Sequence, residues 1–110
     1  MATVIQGSPN AADAELENLF SSLARQWREE RGPSSSTTEW AMCPSYQRII
    51  GLGAAAVPFL LRELERAPDH WFWALKAITG VDPVPAASRG KVREMARSWI
   101  DWGRQQGYRW

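Results

Sequence analysis

The sequence predicts an all-α fold, a compact bundle of about five helices in one domain. Three observations predict it. Apolar residues recur at i, i+3, i+4 and i+7 in several segments, glycine and proline stand where those segments end, and no alternating β-branched run competes. Residues 1–12 mix small and polar side chains with Gly7, Pro9 and Asn10, a composition expected to form a flexible tail. The domain is expected to occupy residues 13–110. Leu16, Leu19, Phe20, Leu23 and Trp27 form its first apolar stripe, with Glu15, Glu17, Arg25 and Arg28 between them. Gly32 and Pro33 then supply a left-handed cap and a residue that cannot continue a helix.

Pro33 to Thr38 is a Ser/Thr-rich connector, and Ser36 with Glu39 has capping-box spacing ahead of a short turn through Trp40. Pro44 suits the first turn of a helix carrying Tyr46, Ile49 and Ile50, stopping at Gly51 or Gly53. Val57, Leu60, Leu61 and Leu64 mark the next helix, with Pro58 in its first turn, where little hydrogen bonding is lost. Asp69 is placed to cap a helix whose inner face holds Trp71, Ala74, Leu75 and Ile78 and which Gly80 ends. The short turn between these two helices makes them antiparallel neighbours. Asp82 to Ala87 carries two prolines and reads as loop. The last helix is expected to start near Ser88, turn Val92, Met95, Ala96, Trp99 and Gly103 inward, and end at Gly107.

A chain of 110 residues holds one core, and seven tryptophans supply the bulk that a small core needs. The single cysteine, Cys43, excludes an internal disulfide and a multi-cysteine metal site, and favours a reducing compartment. With neither a secretory start nor a long apolar run, the protein is expected to be cytoplasmic, with no membrane partner. The net charge of +1 argues against whole-molecule attraction to nucleic acid or anionic lipid. The C-terminal segment from Arg89 to Trp110 is nonetheless locally basic, with Glu94 and Asp101 its only acids.

The segment IIGLGAAAVPFLLRELERAPDHWFWALKAITG, residues 49–80, resembles a HEAT-like helical repeat, with an Ala-Val-Pro turn, a leucine-rich first helix, a short acidic turn and a second helix ending in Ala-Ile-Thr-Gly. Across WREERG, CPSYQRIIGLG and DHWFWALKAITGVDPVP the chain resembles a family of small uncharacterised bacterial proteins. Members of that family tend to have His-Pro where this chain has Cys43-Pro44, a departure that weakens any acid-base or metal role at the position. The family is associated with two-gene arrangements beside a hydrolase, so the resemblance implies an antitoxin or immunity-type partner of a co-produced enzyme. HEAT-like pairs bury one face and offer the other to partners.

The reactive groups are few. His70, the one histidine, follows the expected cap Asp69 and reads as a turn residue rather than a catalytic one, lacking a base-and-orienter set. Cys43 has no cationic neighbour in sequence and reads as a structural thiol. Glu63 and Glu65 face different directions, Ser34 to Ser36 lack a nucleophile elbow, and Gly51-Leu52-Gly53 lacks a dinucleotide fingerprint; no metal, cofactor or catalytic activity is expected.

Binding residues stand out more. With Trp71, Leu75 and Ile78 inward, a rotation of about 100° per residue puts Trp73 nearly opposite and Phe72 to one side. The favoured reading has the last helix covering Trp73; the alternative makes it an exposed anchor. The same question attaches to Trp102. Arg89, Arg93 and Arg97, at i, i+4 and i+8, are expected to form a ridge that Arg104 continues, suited to an acidic protein surface or, alternatively, a phosphate backbone. The expected function is a protein-binding module using His70, Phe72, Trp73, Arg89, Arg93, Arg97 and Trp110, with a nucleic-acid-associated regulator as the alternative.

Overall fold

The computed structural model describes the backbone of residues 3–110 and the side chains of residues 12–110. Among these the chain is all-helical: α1 (Thr3–Glu30), α2 (Thr37–Met42), α3 (Pro44–Gly51), α4 (Val57–Arg66), α5 (Phe72–Thr79) and α6 (Val92–Gln105), with 3₁₀ turns at Gly53–Ala56 and Ala86–Ser88. Helix α1 begins at Thr3 rather than Asp13, so its backbone runs through most of the segment expected as a tail. The side chains of residues 1–11 lie outside the described residues.

The stripe on α1 is narrower than expected. Phe20, Leu23 and Trp27 are buried, but Leu19 is 39 % exposed. At about 100° per residue Leu19 falls at the edge of the seam centred on those three. Gly32 ends this region with φ +52, in the left-handed conformation its position requires.

Ser36 caps α2 by accepting from the Glu39 amide at 3.3 Å. The reciprocal half of the capping box is not made, because the Glu39 carboxylate accepts instead from Ser34 Oγ at 2.6 Å. Helix α3 starts on Pro44 and takes its cap from another element. Glu30, the last residue of α1, accepts from the Ser45 amide at 3.1 Å and from Ser45 Oγ at 2.8 Å, placing a carboxylate at the positive end of α3. This ties α1 to α3, the most extensive helix packing in the fold.

Helix α4 packs chiefly on α6 and helix α5 on α3, while α4 and α5 share a smaller seam despite the short turn between them. Gly103 lets α6 approach α4: a Cβ there would sit 2.5 Å from Leu61 Cδ1. The centre of the core is aromatic. Trp27 and Trp71 are both fully buried with ring centroids 4.4 Å apart, and Tyr46 stacks on Trp71 at 5.8 Å. Trp99 is also buried, and Trp102, half-buried, meets it edge-on at 5.3 Å.

Two boundaries differ from the sequence expectation for physical reasons. Asp69 does not cap α5, whose N-cap is Trp71; its carboxylate is drawn to α1, accepting from Arg31 Nη1 at 2.9 Å and lying 3.9 Å from Arg28 Nε. Helix α6 starts at Val92 rather than near Ser88, because Ala86–Ser88 close a separate 3₁₀ turn and Gly90, at φ +83, turns the chain before the helix begins. No helix is long and apolar enough to cross a membrane among the described residues.

Candidate functional site

Helix α5 is apolar at its start, and its own N-cap, Trp71, offers no side-chain acceptor. The missing partner comes from α3. The buried Tyr46 hydroxyl accepts from the Ala74 amide at 2.9 Å and donates to the His70 carbonyl at 3.0 Å. It thus occupies the place of the bond that would otherwise join these two groups in a first helical turn. Burial pushes the Tyr46 phenol well above its usual pKa, only partly offset by the amides that donate to it, so the hydroxyl stays protonated and able to donate.

Residue His70, just before α5, is held from two sides. Its ring lies 4.5 Å from Trp40 and 6.2 Å, edge-on, from Phe72, while its amide donates to Asp69 Oδ1 at 2.8 Å. Trp40 is fixed in turn, donating from Nε1 to the Ser34 carbonyl at 2.7 Å and accepting on its own carbonyl from Trp27 Nε1 at 2.9 Å. The Arg31 guanidinium lies 4.3 Å from the Trp27 ring and 5.7 Å from Trp40, completing a bracket across α1, α2 and the turn before α5.

Burial alone would raise the Asp69 pKa. Hydrogen bonds from Arg31 and the His70 amide, with the Arg31 charge, outweigh it and hold the carboxyl below the ordinary carboxylate range. The His70 imidazole is pushed below its ordinary pKa by burial, against the Asp69 charge and with help from Arg31. The neutral ring is therefore favoured on the face it presents.

That face opens into a groove of about 620 Å³, bounded by the start of α2, by α5 and by the entry to α6. Its walls are mainly apolar, with Ala41, Phe72, Trp73, Val92 and Met95, and Tyr46, His70 and Lys76 add polar groups. The volume lies in the range of roughly 300–1,000 Å³ found for ligand pockets. Trp73 is 43 % exposed, so the expectation that the last helix covers it is overturned. Val92 and Met95 of α6 line the groove together with Trp73 and leave the indole exposed. The loop before α6 is pinned at Asp82, which accepts from Val84 N at 3.2 Å and from Arg89 Nη2 at 2.9 Å and forms an ion pair with Lys76 Nζ at 3.4 Å.

The structure separates the expected binding residues into distinct places. His70, Phe72 and Trp73 come together at the groove. Arg89 does not join the expected ridge, because it precedes α6 and turns to Asp82. Arg93 and Arg97 line a second concavity on the other flank of α6. Trp110 packs near Gly103, donates from Nε1 to Glu65 Oε1 at 2.9 Å and lies 5.4 Å from the Arg104 guanidinium. Sequence reasoning missed Tyr46 and Met95 as site residues, since both sit on the apolar stripes of their helices. The available signal was a phenol oxygen in an otherwise apolar stripe, which needs a partner when buried.

Cys43 is half-buried, with its thiol 3.5 Å from the Glu39 carbonyl, and burial together with the Glu30 charge raises its pKa. Among the described residues no three His, Cys, Asp or Glu side chains converge as a metal-binding group. No family model, curated protein or solved structure matches the chain.

Proposed function

We propose that this protein is a non-catalytic protein-binding module whose docking site is the groove beside Trp73, and that its partner inserts an apolar side chain there. The observation that carries this reading is the exposed Trp73 indole on the wall of an apolar groove that the molecule's own last helix leaves open. Large apolar patches rimmed by polar groups favour association, and tryptophan is the residue type most enriched where binding energy concentrates. Lys76, the cation on its wall, is already paired with Asp82 at 3.4 Å, so the groove is suited to apolar contact rather than to a charge on the partner. The walls are held from behind by Tyr46, Trp40 and Asp69, so little ordering cost falls on binding. By its resemblance to the bacterial family noted above, the partner is a co-produced enzyme that the module covers.

The experiment isolates a protein that co-purifies with the tagged chain from its source cell, prepares it in pure form and titrates it against variants. Trp73→Ala and Trp73→Glu should each weaken binding by roughly tenfold or more, about 1.4 kcal/mol. Met42→Ala, at a side chain 53 % exposed and not part of the groove, should leave it unchanged. Binding indifferent to both groove variants overturns the proposal. The alternative nucleic-acid role draws less support, because Arg89 and Arg104 are engaged by Asp82 and Glu65 rather than aligned with Arg93 and Arg97.

A further inference from the structure

The second concavity, of about 480 Å³, lies between α6 and the C-terminal half of α4. Leu64, Ala96 and Ile100 form its apolar floor. Arg104 on its rim is already engaged, donating from Nη2 to Glu65 Oε2 at 2.6 Å. Arg93 and Arg97 are exposed and form no ion pair among the described residues. Their i, i+4 spacing sets two like charges side by side, an arrangement that costs the isolated helix stability and that an arriving anion relieves. Each guanidinium presents a planar fork matched to the two oxygens of a carboxylate.

We infer that this concavity binds an acidic peptide segment, with successive carboxylates paired to Arg93 and Arg97. One feature favours carboxylates over a nucleic-acid backbone. Glu65 and Asp101 stand on the same rim, where a continuous run of phosphates would meet them, whereas a short acidic segment can end before reaching them. The site is separate from the groove beside Trp73, with which it shares no lining residue.

The test is fluorescence anisotropy of a labelled hexaglutamate peptide titrated with the full chain at low ionic strength. Binding is expected, and both Arg93→Glu with Arg97→Glu and the milder Arg93→Gln with Arg97→Gln should weaken it by roughly tenfold or more. Arg25→Glu with Arg109→Glu makes the same change in net charge as the first pair at exposed positions outside the concavity, and should alter binding by less than about twofold. Trp73→Ala should leave the peptide bound, so failure of the groove proposal and failure of this one are distinguishable. Absence of peptide binding, or equal losses from the concavity pair and the control pair, overturns the inference. A single-stranded oligonucleotide of equal charge that binds more tightly than the peptide through Arg93 and Arg97 also overturns it and assigns the surface to phosphate instead.

Discussion

Replacing Tyr46 by Phe removes one oxygen and leaves the ring stack on Trp71 intact, so its effect isolates the hydroxyl that holds the start of α5. Two backbone groups lose their partner: the Ala74 amide, buried within the first turn, and the His70 carbonyl, closer to solvent. A buried donor left unsatisfied costs about 1–3 kcal/mol, and an acceptor that water can reach costs less. A loss of about 2 kcal/mol is expected, since the 74-to-70 bond can partly reform in the vacated space. At about 4–8 °C per kcal/mol for a domain of this size, the melting temperature should fall on the order of 10 °C. Thermal and urea unfolding followed by circular dichroism measure this directly, and amide exchange at Ala74 and Leu75 should quicken in parallel. A Tyr46→Phe variant within about 0.5 kcal/mol of the parent would show that the hydroxyl does not hold α5, and the groove would then need another support.

Ser36→Ala removes the side-chain acceptor at the start of α2 and should lower stability by about 1 kcal/mol in urea unfolding. Gly103→Ala places a methyl 2.5 Å from the fully buried Leu61 Cδ1 and 3.3 Å from Trp110 Cζ3. Overpacking of about 1–3 kcal/mol should outweigh the roughly 1 kcal/mol gained in helix propensity, giving a net loss where an exposed helical glycine would show a gain. His70 has its folded pKa depressed, so the unfolded state binds more protons below neutrality. The stability it contributes is full above the unfolded value of about 6.5 and is lost as pH falls from there through the folded value. Urea midpoints should therefore drop between about pH 7 and pH 5 in the parent and drop less in His70→Phe.

The helices were legible because their apolar spacing and their stops are local properties. Leu60, Leu61 and Leu64 on α4, and the left-handed Gly80 at φ +75 after α5, follow from neighbours within a few residues. The places where the expectation failed depend on groups far apart in sequence. Asp69 has the spacing of an N-cap, but Arg31, 38 residues earlier, draws its carboxylate away. Arg89, Arg93 and Arg97 have helical spacing, but Gly90 and the Ala86–Ser88 turn remove Arg89 from the helix that carries the other two.

The groove was half legible. His70, Phe72 and Trp73 lie within four residues of one another, and they meet on one surface. Tyr46 reaches that surface through packing of α3 on α5, and Met95 through the placement of α6 against α4, which no local pattern encodes. The exposure of Trp73 likewise depends on how α6 is placed by its packing on α4, far from Trp73 in sequence.

The central claim is that a protein partner docks against Trp73. Each of the seven tryptophans contributes one indole N–H signal to a ¹⁵N correlation spectrum, and these signals can be followed as the purified partner is added. The expected result is a large shift or broadening at Trp73, with the fully buried Trp27, Trp71 and Trp99 changing little. An unmoved Trp73 signal in a saturated complex, with the response confined to indoles remote from the groove such as Trp110, would contradict it.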